Sequence, residues 1–264
     1  MNKFHKISCI AVIFSCSFSA LMAQDEVPGH KKIHPSLGFN IGASIPFGGY
    51  TGTAVSPVLA NAPNGEANAN TGINLNVKGE TRFFRHPVWS FSCDLGFTLH
   101  ATNTSKIFAN NPSYNANNYQ LGDNWLVTIL PGMNYEKGKR IKVGAGFSAG
   151  LFLFKGWNMH SSIAQVNSQA TKITDTNMKL MGALGIKPNI RFIYQIQPKL
   201  HLICSADFML AGGSTTFNYS ETYVNTSTGA TISSPYTKEL KYSTTITAVN
   251  INLGLRYVFH KWKY

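Results

Sequence analysis

Residues 36–47 read SLGFNIGASIPF. Leu37, Phe39, Ile41, Ala43, Ile45 and Phe47 share one parity, and Ser36, Gly38, Asn40, Gly42 and Ser44 share the other. Successive side chains on a β-strand point to opposite faces, so this segment is a strand with one greasy face and one small, polar face. Working outward, seven more segments repeat the pattern. Ile73, Leu75, Val77 and Phe83 oppose Asn74, Asn76, Lys78, Glu80 and Arg82, and Trp89, Phe91, Cys93, Leu95, Phe97 and Leu99 oppose Ser90, Ser92, Asp94, Gly96, Thr98 and His100. A fourth strand over 124–136 puts Trp125, Val127, Ile129, Met133 and Tyr135 outward, with Leu126 and Leu130 breaking the alternation. The fifth is marked by Ile141 to Leu153, the sixth by Leu180 to Tyr194, the seventh by Leu200 to Leu210 and the eighth by Val249 to Phe259.

The connections alternate too. Tight turns are expected around 85–88, 137–139 and 196–198, whereas 48–70, 102–123, 155–177 and 212–241 are long and rich in Asn, Ser, Thr and Gly, the composition of solvated loops. Eight strands with short turns on one side and long loops on the other predict an all-β fold, an eight-stranded antiparallel transmembrane up-and-down β-barrel, with turns and termini toward the periplasm and loops toward the exterior. The strands are longer than the roughly 9 to 11 residues that a tilted strand needs to cross a bilayer. A soluble sandwich or lipocalin-like barrel would also alternate, with its apolar face inward. Two features weigh against it: the polar face is mostly Gly, Ser, Asn and Thr, which suits a cramped interior, and all four tryptophans fall at strand ends. Trp89 and Trp262 lie on the turn side, Trp125 and Trp157 on the loop side, as an aromatic girdle at each membrane interface.

The start of the chain fits export. Lys3, His5 and Lys6 precede an apolar run from Ile7 to Met22, and cleavage after Ala23 would give a signal peptide over 1–23, although Leu21 is bulky for its place. An uncleaved anchor helix needs a longer apolar stretch, about 20 residues. A short periplasmic segment, 24–34, then leads into the barrel, 35–264. Of four cysteines, Cys9 and Cys16 lie in the signal, and Phe14 and the residues after Cys16 argue against lipidation. Cys93 and Cys204 are not a disulfide framework; both are expected to face lipid, unpaired. The net charge of +12 comes without any Lys/Arg run longer than Lys31–Lys32, so the partners it implies are anionic outer-membrane lipids such as lipopolysaccharide or an acidic ligand, not nucleic acid.

The segments GFNIGASIPFGGY, LVTILPGMNYEKGKRIKVGAGFSAGLFL and NINLGLRYVF resemble the outer membrane β-barrel family that includes PorT-like and OmpA-like barrel domains. The resemblance covers essentially the whole mature chain and lies in strand and turn grammar. It implies fold and outer-membrane location, brings no catalytic residues, and makes a role in a secretion apparatus one expectation. A final strand ending in an aromatic residue is implied too; Trp262 and Tyr264 fit, while His260 breaks the alternation. No peptidoglycan-binding domain follows the barrel in this sequence.

The residues that carry chemistry are the inward charges Lys78, Glu80, Arg82, Asp94, Lys142, Lys187, Arg191, Asp207 and Arg256. Pairing strands through their turns puts Lys187 roughly opposite Asp207 and Glu80 near Asp94. Buried charges persist when paired, so a salt-bridged plug is the leading expectation, with a narrow ion or solute path as the alternative; Gly144, Gly146 and Gly150 leave room for water-sized space. His100, Asp123 and His160 are the residues an outer-leaflet lipid A-modifying enzyme would use, but they lack a base–orienter–nucleophile constellation, and no Cys/His metal spacing, phosphate loop or nucleophile elbow is present. The expectation is a monomeric, non-enzymatic barrel without a cofactor, its loops serving surface binding or assembly.

Overall fold

A computed structural model describes residues 35–51, 69–83, 86–105, 118–156, 158–165 and 169–259. The expected signal peptide, the 24–34 segment, Trp157, Trp262, His260 and Tyr264 lie outside the described residues. Among the described residues the chain is all-β apart from short helical turns, with eleven strands in one antiparallel sheet. In chain order they are β1 (Ser36–Pro46), β2 (Ala69–Phe83), β3 (His86–Thr102), β4 (Tyr119–Leu121), β5 (Asn124–Gly138), β6 (Ile141–Lys155), β7 (Met159–Ala164), β8 (Ala170–Met178), β9 (Met181–Gln197), β10 (Leu200–Asn225) and β11 (Tyr236–Val258). The pairs β1–β2, β2–β3, β3–β5, β5–β6, β6–β9, β9–β10 and β10–β11 follow one another, and β11 pairs with β1. Each of these eight strands therefore has its backbone groups satisfied on two sides.

Burial follows parity. In β1 the outward residues Leu37, Phe39 and Ile41 are about half exposed, while Ser36, Asn40 and Ser44 are buried. Along β5 every even residue from Asn124 to Leu130 is buried, which explains the broken alternation there: Leu126 and Leu130 point inward and are fully buried.

Eleven strands rather than eight is the main departure from the sequence reading. Two stretches read as solvated loops are largely strand. Residues 155–177 contain β7 and β8, and 212–241 contain the ends of β10 and β11, which stay paired from Gly212–Thr245 out to Glu221–Tyr236. In the third, 102–123, β4 pairs with β7; β7 pairs with β8, and β8 with β10 from Phe217–Met178 to Asn225–Ala170. This five-stranded extension is rich in Thr, Ser, Asn and Tyr; Thr and Tyr favour strands, but the polarity of the set hides the alternation that marks a half-buried strand.

Candidate functional site

The interior has two layers. At the end carrying the short turns lie the charges, which the parity of β2, β3, β6, β9, β10 and β11 turns inward. Glu80 of β2 and Glu136 of β5 are bridged by two arginines. Arg256 Nη1 donates to Glu80 Oε2 at 2.8 Å and to Glu136 Oε1 at 2.5 Å, and its Nη2 donates to Glu136 Oε2 at 3.2 Å. Arg191 pairs with Glu80 and lies 3.0 Å from Glu136. Arg82 reaches Glu136 at 3.3 Å from a more exposed position, and Lys78 donates to Asn134 Oδ1 at 3.1 Å beside Glu80. Arg191 on β9 and Glu80 on β2 belong to strands four places apart in the circuit, so these bonds span the interior.

A second group sits deeper. Lys187, 2% exposed, donates to Asp94 Oδ2 at 2.8 Å and to Asn76 Oδ1 at 3.3 Å, and lies 3.7 Å from Asp207 Oδ2. Asn252 donates to Asp207 at 2.7 Å and accepts from Asn74. Lys187 is thus shared between two carboxylates. The β9–β10 register pairs Asp207 with Asn189, so Asp207 meets Lys187 on a diagonal rather than directly opposite. Glu80 and Asp94 stand on a diagonal of the same kind, with Asp94 opposite Lys78 and Glu80 opposite Ser92, and cations lie against each carboxylate.

The inward glycines do not leave open space. A Cβ at Gly144 would lie 3.2 Å from Glu136 Cγ and 3.3 Å from Arg191 Cγ, so the missing side chain is what admits the long charged ones. The void between the two charge groups is about 20 Å³, roughly one water.

Toward the other end the interior becomes apolar. Leu126, Leu130, Phe152, Phe154, Met181, Met209 and Ile246 are buried in one cluster. Above it the chain leaves β1 through Gly48, whose left-handed φ of 61° suits a residue without Cβ, into a 3-10 turn (Gly48–Thr51) that drops Tyr50 inside. Tyr50 is fully buried, packs edge-on against Phe154 and bonds His100 Nδ1 at 2.9 Å, while His100 Nε2 meets Ser44 Oγ at 2.9 Å. Sequence parity gives these positions but not their role, since Phe152 and Phe154 share the parity of the inward Gly144 and Gly150.

The other singled-out residues take separate places. His100 is buried in the interior. Asp123 accepts a long bond from the Thr102 N–H, and His160 pairs with Asp175 at 2.6 Å on the exposed extension. Trp89 lies at the turn end, edge-on to Tyr135, and half-buried Trp125 lies at the far end of β5. Cys204 is exposed; Cys93 has outward parity but is only 9% exposed, sheltered on its strand between Gly79 and Pro131. Sequence reasoning missed Glu136, although its parity with Asn134 marks it as inward, and missed His201, whose Nδ1 lies 3.1 Å from Arg256 Nη2. No cluster of three or more potential metal ligands occurs among the described residues.

No family model and no curated protein matches the chain. Solved structures similar to it are outer membrane or surface proteins. A major outer membrane protein from Thermus thermophilus is 13% identical with a TM-score of 0.43, over 85% of this chain and 99% of that one. OprG from Pseudomonas aeruginosa is 11% identical with a TM-score of 0.43, over 89% and 100%. Neisserial surface protein A is 12% identical with a TM-score of 0.36, over 88% and 99%. None of these three bears a PorT or OmpA name, and overlaps this loose assign no activity.

Proposed function

We propose that the chain is an integral outer-membrane protein whose eight circuit strands form a closed transmembrane barrel, plugged by its own side chains, that serves a non-enzymatic, surface-binding role. The observation that carries this reading is the inverted distribution of polarity. Val143, Leu184 and Ile190 are 62%, 80% and 66% exposed, whereas Lys187 and Arg256 are each 2% exposed. A water-soluble domain of this size would bury the first set and expose the second; a hydrocarbon solvent reverses the preference, and a closed ladder is the one strand arrangement that leaves no unpaired edge in lipid. The short-turn end, with both chain ends of the circuit, belongs to the periplasm. The extension of β4, β7, β8, β10 and β11 rises on the exterior side as the contact surface.

The plug supports binding over conduction, because an apolar layer closed by Tyr50 lies in series with the ion-paired layer. A PorT-like place in a secretion apparatus remains a proposal resting on the likeness of strand and turn grammar. The protein is expected to stay with membranes after alkaline carbonate washing and to migrate as a compact species until boiled in detergent. Release of the folded chain into detergent-free buffer as a soluble monomer would overturn the membrane assignment.

A further inference from the structure

The charged layer does not fill the turn end. A cavity of about 310 Å³ opens there, lined by Arg82, Lys142, Lys199, Arg256 and His201, with Glu80 as its carboxylate. That carboxylate is already held by Arg191 and Arg256. Lys142 and Lys199 form no ion pair within 4.0 Å with a carboxylate of the described residues, which leaves their ammonium groups available to the cavity. His201 adds a donor: an arginine N–H can only donate, so the Nδ1 beside Arg256 is the acceptor and the ring proton sits on Nε2. Ser36 and Gln195 add further polar side chains, and Pro198, Val258 and Phe259 form the apolar part of the wall. The cavity is blind, because the arginine–glutamate bridge and then the apolar layer stand behind it.

We infer that this vestibule is a binding site for a small oxyanion, of the phosphate, sulfate or carboxylate class. Several cationic donors converge in a recess of low-dielectric walls, which focuses positive potential on what enters. Charge-assisted bonds from Lys and Arg to an oxyanion are the strong hydrogen bonds of such a site. The volume admits a single compact anion with part of its hydration shell, and the sealed interior makes this a site of capture rather than passage. The inference rests on the barrel reading for its orientation toward the periplasm, not for its chemistry.

The test uses full-length mature protein folded in an amine-oxide detergent, which carries no phosphorus. Inorganic phosphate is added at fixed ionic strength while its phosphorus resonance is followed, and heat modification is read on the same samples. Saturable broadening is expected, weakened about tenfold or more in Lys142→Gln/Lys199→Gln, as for the loss of two charge-assisted contacts. Lys139→Gln, in the neighbouring turn and outside the lining, should bind like wild type. Phosphate that fails to broaden, broadening unchanged in the double variant, or displacement by an equal concentration of chloride would each overturn the site. Heat modification that persists in those cases shows that the barrel reading survives without it; its loss in the wild type sinks that reading instead.

Discussion

Lys187→Met is the most informative single change, because it removes one cation from between two buried carboxylates. At an effective dielectric near 20, a unit pair at the 2.8 Å of Lys187–Asp94 is worth about 6 kcal/mol in gross attraction, and at the 3.7 Å of Lys187–Asp207 about 4.5 kcal/mol. Desolvation offsets most of this in the intact protein, but breaking a buried pair still costs about 3 to 5 kcal/mol because the remaining charge is stranded. Two carboxylates are stranded here, so Lys187→Met should lie at or above the top of that range. Asp94→Asn should cost more than Asp207→Asn, by about 1.4 kcal/mol from the difference in distance. A double variant, Lys187→Met/Asp207→Leu, recovers little, since Asp94 stays uncompensated; recovery needs Lys187→Met/Asp94→Asn/Asp207→Asn. Urea unfolding in detergent, followed by the mobility shift on gels, measures each variant and closes the cycle. A loss under about 1 kcal/mol for Lys187→Met, as for a solvated pair, would refute the reasoning, as would a triple variant no more stable than the single one.

Phe152→Ala should cost about 3 to 5 kcal/mol and open the apolar layer, raising single-channel conductance in a planar bilayer; unchanged conductance would show that the charged layer alone seals the interior. Cys204 should react with an apolar maleimide in bilayers, Cys93 far more slowly, and the two should stay unpaired because β3 and β10 are not neighbours; equal labelling would contradict the sheltering of Cys93. On the five-stranded extension, burial disfavours the Glu221 carboxylate, but hydrogen bonds from Tyr219, Lys172 and Tyr223 outweigh it and hold its pKa below the ordinary value. Its contribution is therefore complete above the unfolded carboxylate pKa and lost as pH falls through the lower folded one. Protection of the amides in β8 and the end of β10, corrected for the intrinsic exchange rate at each pH, should fall in acid, and Glu221→Gln should remove that pH dependence.

The period-two alternation of Ser36–Pro46 and its counterparts was legible because side-chain facing in a strand is a local, geometric property. It marked which charges share the inward face, and the short turns gave the antiparallel order of neighbours. Three things needed the tertiary structure. Leu126, Leu130, Phe152 and Phe154 look like lapses in the pattern until Met181 of the neighbouring β9, Ile246 of β11 and Tyr50 of the 3-10 turn join them in one buried cluster. The β7–β8 and outer β10–β11 strands bury alternate residues, but Ser161, Thr174, Thr176 and Thr244 take many of the buried places, so the hydropathy is not one-sided and only the pairing shows these strands. The partners of Glu80 lie 111 residues away at Arg191 and 176 away at Arg256. Parity says that a residue points inward; which residue it meets across the interior depends on the number, order and register of strands between them, and those are set by long-range pairing in the sheet.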